Sequence, residues 1–140
     1  MQDYARLIGI DVGKKRVGIA QTDLLKTIAS PVGTFPPKEV FSELKTITEN
    51  EPVELFIVGW PLTTKGEEGA ATQMVTKFIK KLEKAFPDID IVKVDERYTS
   101  NKAKELMIEA GVPKKKRQDK GRVDRIAAAI ILQNYLDTNT

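Results

Sequence analysis

An α/β domain built on a mixed five-stranded sheet, with an antiparallel three-strand meander, two parallel strands and flanking helices, is the fold class this 140-residue chain predicts. Three observations carry it. Segments 5–12, 16–22 and 27–35 favour β structure and are joined by connections short enough for hairpins. Two later apolar runs, 53–59 and 89–94, are each preceded by a stretch of helical periodicity. The length and 41% hydrophobic content suit one core, so residues 1–140 are expected to form a single domain.

Leu7 to Ile10 carries no polar side chain, the mark of a strand buried on both faces. This first strand delivers Asp11, turns at Gly13 and returns over 16–22; residues 23–26 then connect to the third strand. Pro36 and Pro37 stop the meander. Pro37 suits the first turn of a helix whose Val40, Phe41, Leu44 and Ile47 follow helical spacing, and residues 50–52 end it. Leu55, Phe56, Ile57 and Val58 in succession predict a central strand covered on both faces. A loop with Pro61, Gly66 and Gly69 leads into a second helix on Met74, Val75, Phe78, Ile79 and Leu82, which Pro87 closes. The strand at 89–94 runs into Asp95, Glu96 and Arg97. Thr99 or Ser100 can cap a third helix with Ala103, Leu106, Met107 and Ala110 inward, before the stop signals Gly111 and Pro113. A final helix begins near Gln118 or Asp119 and carries Val123, Ala127, Ile130, Ile131 and Tyr135 at core spacing.

With no cysteine and no histidine, the chain has no disulfide, no thiolate zinc site and no imidazole base, so any metal must be held by oxygen. No apolar run approaches the roughly 20 residues that cross a bilayer, and residues 1–6 lack a signal-peptide profile. A soluble, cytoplasmic protein with no membrane partner is expected. The net charge of +3 is modest, but its distribution is uneven: Lys114, Lys115, Lys116, Arg117, Lys120 and Arg122 face only Asp119 between residues 113 and 122. Such a segment fits phosphate contacts and equally fits a solvated loop.

A buried strand rarely keeps an acid without a partner, so Asp11 calls for a cation, a donor network or a metal; a turn aspartate accepting backbone N–H groups beside Gly13 is the simpler alternative. Asp124 has Ala127, Ala128 and Ile131 three, four and seven positions on, which puts it on the apolar side of the last helix. The alanines at 127–129 keep that side thin and let the helix lie close to the sheet. The alternative is a surface acid favouring the helix dipole. With Glu96 after the last strand, three acids from distant sequence can meet at one end of the sheet, where mutual repulsion demands a cation. Mg²⁺ or Mn²⁺ suits such ligands, and two ions roughly 4 Å apart can activate water and stabilise a leaving oxygen in phosphodiester cleavage.

The stretches Gly9-Ile10-Asp11-Val12-Gly13-Lys14-Lys15-Arg16-Val17-Gly18-Ile19-Ala20, Val58-Gly59-Trp60-Pro61-Leu62 with Gly66 and Gly69, Asp95-Glu96-Arg97, and residues 123–137 from Val123-Asp124-Arg125 onward resemble the YqgF family, also called RuvX. Together they span nearly the whole chain. The resemblance implies a ribonuclease H-like fold related to the RuvC resolvases. It further implies a metal-dependent nuclease acting in maturation of the precursor of 16S ribosomal RNA or on Holliday-type junctions. By motif match, Asp11, Glu96 and Asp124 are its acidic catalytic and metal-binding residues. The family often has Asn and an acid where this chain has Thr63 and Lys65.

The leading expectation is therefore an endonuclease that binds structured RNA or branched DNA through Lys14, Lys15, Arg16, Arg97 and the 114–122 segment, with water as nucleophile. A non-catalytic nucleic-acid-binding factor in transcription or ribosome assembly needs the basic residues but not the acids. A phosphotransfer domain of the sugar-kinase or actin type shares the Asp-Val-Gly-Lys turn, but it builds its cleft from two such domains and the chain has room for one. Arg97 can touch a phosphate or pair with Asp95, and Trp60 can stack on a base or fill space beneath its loop.

Overall fold

The computed structural model describes residues 4–62, 65–96 and 120–139, the first five of the last segment by backbone alone. Its strands are β1 (Arg6–Val12), β2 (Val17–Thr22), β3 (Ala29–Phe35), β4 (Val53–Trp60) and β5 (Asp90–Asp95); its helices are α1 (Pro37–Asn50), α2 (Ala70–Ala85) and α3 (Lys120–Thr138). The sheet order is β3-β2-β1-β4-β5. β1 pairs antiparallel with β2, and β2 with β3, whereas β4 runs parallel to both β1 and β5. This is the mixed sheet the sequence predicts. The helix expected around 103–110 lies outside the described residues. No described helix is long and apolar enough to cross a membrane.

Alternation along the strands divides the core into two layers. Ile8, Ile10, Phe56 and Val58 pack on one face with Val40 and Leu44 of α1 and with Val75, Phe78 and Leu82 of α2. Leu7 and Ile57 pack on the other with Ala128, Ile131, Leu132 and Leu136 of α3. The thin stripe on α3 is matched by a gap in β1: a Cβ on Gly9 would lie 2.8 Å from the Ala128 carbonyl oxygen and 2.9 Å from Leu132 Cβ. Backbone therefore meets backbone there, and the Ala29 N–H donates to Gln133 Oε1 at 2.9 Å to tie α3 to the start of β3.

The β2–β3 connection is longer than the four residues expected, because Asp23 withdraws Thr27 and Ile28 from the ladder. Its carboxylate accepts the N–H groups of Thr27 and Ile28 at 2.8 and 2.9 Å and the Thr27 hydroxyl at 2.7 Å. These bonds, that from the Ile28 N–H first, hold its pKa down at about 2 against an ordinary 3.8. A carboxylate lowered by folding stabilises the native state above its unfolded pKa and loses that contribution as pH falls. In urea titrations Asp23→Ala should cost about 1 kcal/mol near neutral pH, a figure kept small by solvent screening. The difference from the parent should shrink between about pH 4 and pH 2.

Candidate active site

The C-terminal ends of β1, β4 and β5 lie at the same end of the sheet, since the three strands run parallel. Register decides which side chains meet there. Leu7, Gly9 and Asp11 alternate onto the α3 face of β1, and Leu55, Ile57 and Gly59 onto that of β4. Val92 and Val94 do so on β5, and the Glu96 N–H continues the pairing by donating to the Trp60 carbonyl at 3.2 Å. Glu96 thus reaches the same face one step beyond the strand.

Between the two acids stands β4 with no side chain at Gly59. A Cβ there would lie 2.6 Å from Glu96 Oε2 and 2.8 Å from Ile131 Cδ1. The bare Cα lets the Glu96 side chain cross β4 and hydrogen-bond Asp11. Burial pushes the Glu96 carboxyl well above the ordinary range; the Asp11 charge and the shared hydrogen bond add to this, and Asp95 contributes last. Two carboxyl groups in contact, one of them pressed to keep a proton, form a place short of positive charge among the described residues.

Asp124 stands on the α3 backbone one turn before Ala128, whose carbonyl faces Gly9. Farther along α3, Leu136 and Leu7 line one hollow, so the helix descends β1 away from Asp11 and its earlier turns lie towards the acidic end. The side chains of Asp124, Lys120 and Arg122 lie outside the description, as do Arg97, Lys114, Lys115, Lys116 and Arg117 altogether. Among the described residues two acids meet and no group of three does.

Lys14 and Lys15 are exposed in the β1–β2 turn, which Gly13 closes by donating its N–H to the Arg16 carbonyl at 2.9 Å; Arg16 is half-buried. Trp60 follows Gly59 but alternates to the opposite face, where it packs partly against the α1 and α2 core beneath Lys93 Nζ, 4.2 Å from its ring centroid. The described contacts give Trp60 a packing role. Gly59 is the site residue that the sequence reasoning missed as one, and the available signal was a glycine inside an otherwise apolar central strand, which marks close approach by another group.

The family model described as RuvX, Holliday junction resolvase, matches residues 5–138. A relative from Salinibacter ruber, named "Putative pre-16S rRNA nuclease", is 45% identical over 137 residues, covering 98% of this chain and 96% of its own. Another of that name, from Parabacteroides distasonis, is 46% identical over 133 residues and covers 95% of each chain. Among solved structures, Thermus thermophilus RuvC in complex with a Holliday junction substrate aligns at a TM-score of 0.58 over 98% of each chain, with 16% identity. That likeness is one of fold. With a family model matched over nearly its full length and relatives this similar, the chain belongs to the RuvX family.

Proposed function

We propose that this chain is a metal-dependent endonuclease that hydrolyses phosphodiester bonds in structured nucleic acid, the precursor of 16S ribosomal RNA being its first candidate substrate. The observation that carries it is the Asp11–Glu96 contact across Gly59, at the end of the sheet where the basic β1–β2 turn also lies. The names of the relatives favour precursor RNA, and the family description favours a branched DNA junction as the other substrate. Both present the same phosphodiester chemistry. The residues form one domain and act in the cytoplasm.

The donor set fits a hard divalent cation, Mg²⁺ or Mn²⁺: with no cysteine or histidine the side-chain ligands on offer are oxygens, and among the described residues no positive group offsets the upward shift of the Glu96 carboxyl. Asp11 and Glu96 would hold it, with Asp124 as the third ligand. Such an ion, when bound, stabilises charge developing on the phosphate and activates water for attack. The protein's own part is placement. β1 and β5 hold the two carboxyls at fixed depth, Gly59 keeps the path between them open, and Lys14, Lys15 and Arg16 draw the phosphate backbone to that end of the sheet.

The test is cleavage by the purified protein, with Mg²⁺, Mn²⁺ or a chelator, of precursor 16S RNA fragments, single-stranded RNA and a four-way DNA junction. Metal-dependent cutting of one of them, abolished by the chelator, is the expected result. Binding without cutting under either metal would instead indicate a non-catalytic assembly or transcription factor.

A further inference from the structure

The α1/α2 face of the sheet carries a second basic feature, apart from the 114–122 segment. α2 presents Lys77, Lys80, Lys81 and Lys84 to solvent, three, four and seven positions from the first, while its Val75, Phe78, Ile79 and Leu82 are buried. A solvated helix face is the ordinary reading of such lysines. Two grooves argue otherwise. One, of about 370 Å³, runs between the β1–β2 turn and α2, with Lys14, Gln73, Lys77 and Lys81 on its walls and Phe41 and Phe78 in its floor. The other, of about 490 Å³, lies between α2 and β5, lined by Trp60, Lys77, Lys80 and Lys93. Lys77 and Gln73 belong to both, so the grooves flank the same ridge of α2, one on either side.

Five lysines line this path, and among the described lining residues Glu68 is the single acid. No ion pair among the described residues neutralises Lys14, Lys77, Lys80 or Lys81. Both grooves reach the end of the sheet that carries the acids, though on the other face: Lys14 is three residues beyond Asp11, and Trp60 adjoins Gly59 at the end of β4. The grooves themselves lie on the face opposite α3.

We infer that this lysine-lined path holds the phosphate backbone of a single-stranded flank of the substrate, leaving the cleavage site over the sheet end and lying against α2. This rests on the nuclease reading and extends it: the acids select where the chain is cut, and the α2 lysines select substrates with a flank to bind. Charge complementarity is what names the occupant. A groove walled by unpaired ammonium groups binds a polyanion through counterion release, independently of base sequence.

The experiment compares two RNA probes in an Asp11→Asn background, which removes cleavage from the binding measurement: a precursor 16S fragment confined to the junction, and the same fragment with a single-stranded extension. The parent should bind the extended probe more tightly. Lys77→Ala with Lys81→Ala, both favourable helix substitutions, should weaken the extended probe about tenfold near 0.15 M salt and lower the slope of log K against log salt by roughly 1.4, as expected for two lost contacts. The short probe should be unaffected. Lys45→Ala, an exposed α1 lysine off the path, controls for general charge loss. If the two probes bind equally, or the double variant weakens both alike, the path is not a flank site. Cleavage of the short junction by the protein with Asp11 intact is read separately and reports on the nuclease reading, so the two can fail independently.

Discussion

Replacing Asp11 with asparagine is expected to lower metal-dependent cleavage on the order of a thousandfold, about 4 kcal/mol of transition-state stabilisation, while leaving the fold at least as stable as the parent. The two effects have opposite signs for one reason. Asp11 presses a negative charge on the Glu96 carboxyl, which burial already disfavours as an anion. Asparagine keeps the volume and can still hydrogen-bond Glu96, but removes that repulsion, so thermal melting without metal should stay level or rise. Binding should hold or tighten, because the phosphates meet one negative charge fewer. Glu96→Gln should behave alike. A merely structural acid predicts the reverse, with melting temperature falling and cleavage following only through loss of folded protein. Single-turnover cleavage and thermal melting on the same preparations separate the two, and full metal-dependent cleavage by Asp11→Asn would remove Asp11 from the mechanism.

Much of this arrangement was legible in the chain because the signals were local. Leu55 to Val58 reads as a strand covered on both faces, and Phe56, Ile57 and Val58 are fully buried. The alanines before Ile130 read as a thin helix side, and Ala127 and Ala128 are buried, with the Ala128 carbonyl close over Gly9. Other features depend on register and layer order, which no short window contains. That Glu96 reaches back across β4 to Asp11 requires Gly59 to fall opposite Val94, and that pairing exists only once β4 and β5 are aligned. The α2 lysines carry no signal in the sequence beyond a spacing of three and four positions, which puts them on one helix face. They become walls of a groove because the helix lies beside the β1–β2 turn. The six-residue β2–β3 connection differs from the four expected because side-chain acceptance by Asp23 outcompeted strand propensity at Thr27 and Ile28.

Two glycines on the α3 face of neighbouring strands allow the sharpest comparison, because the same added methyl group should do different damage at each. At Gly59 a Cβ would meet the Glu96 carboxyl at 2.6–2.8 Å and the tip of Ile131 at 2.8 Å. Both are far ends of flexible side chains, so the fold can yield by moving them. What yields is the site itself, since Glu96 must leave its crossing over β4 and with it the contact to Asp11. Gly59→Ala should therefore stay folded, with a stability loss of about 1 kcal/mol, yet lose cleavage by about 10- to 100-fold, the usual effect of displacing a ligand's support. At Gly9 the methyl would meet the Ala128 carbonyl oxygen at 2.8 Å and Leu132 Cβ at 2.9 Å. Neither can swing aside, so α3 must shift as a body or the protein must carry the clash. Gly9→Ala should cost about 2–3 kcal/mol. Urea unfolding and cleavage rates measured on both variants test the assignment: Gly59→Ala with full activity would mean that the Asp11–Glu96 contact does not set the rate.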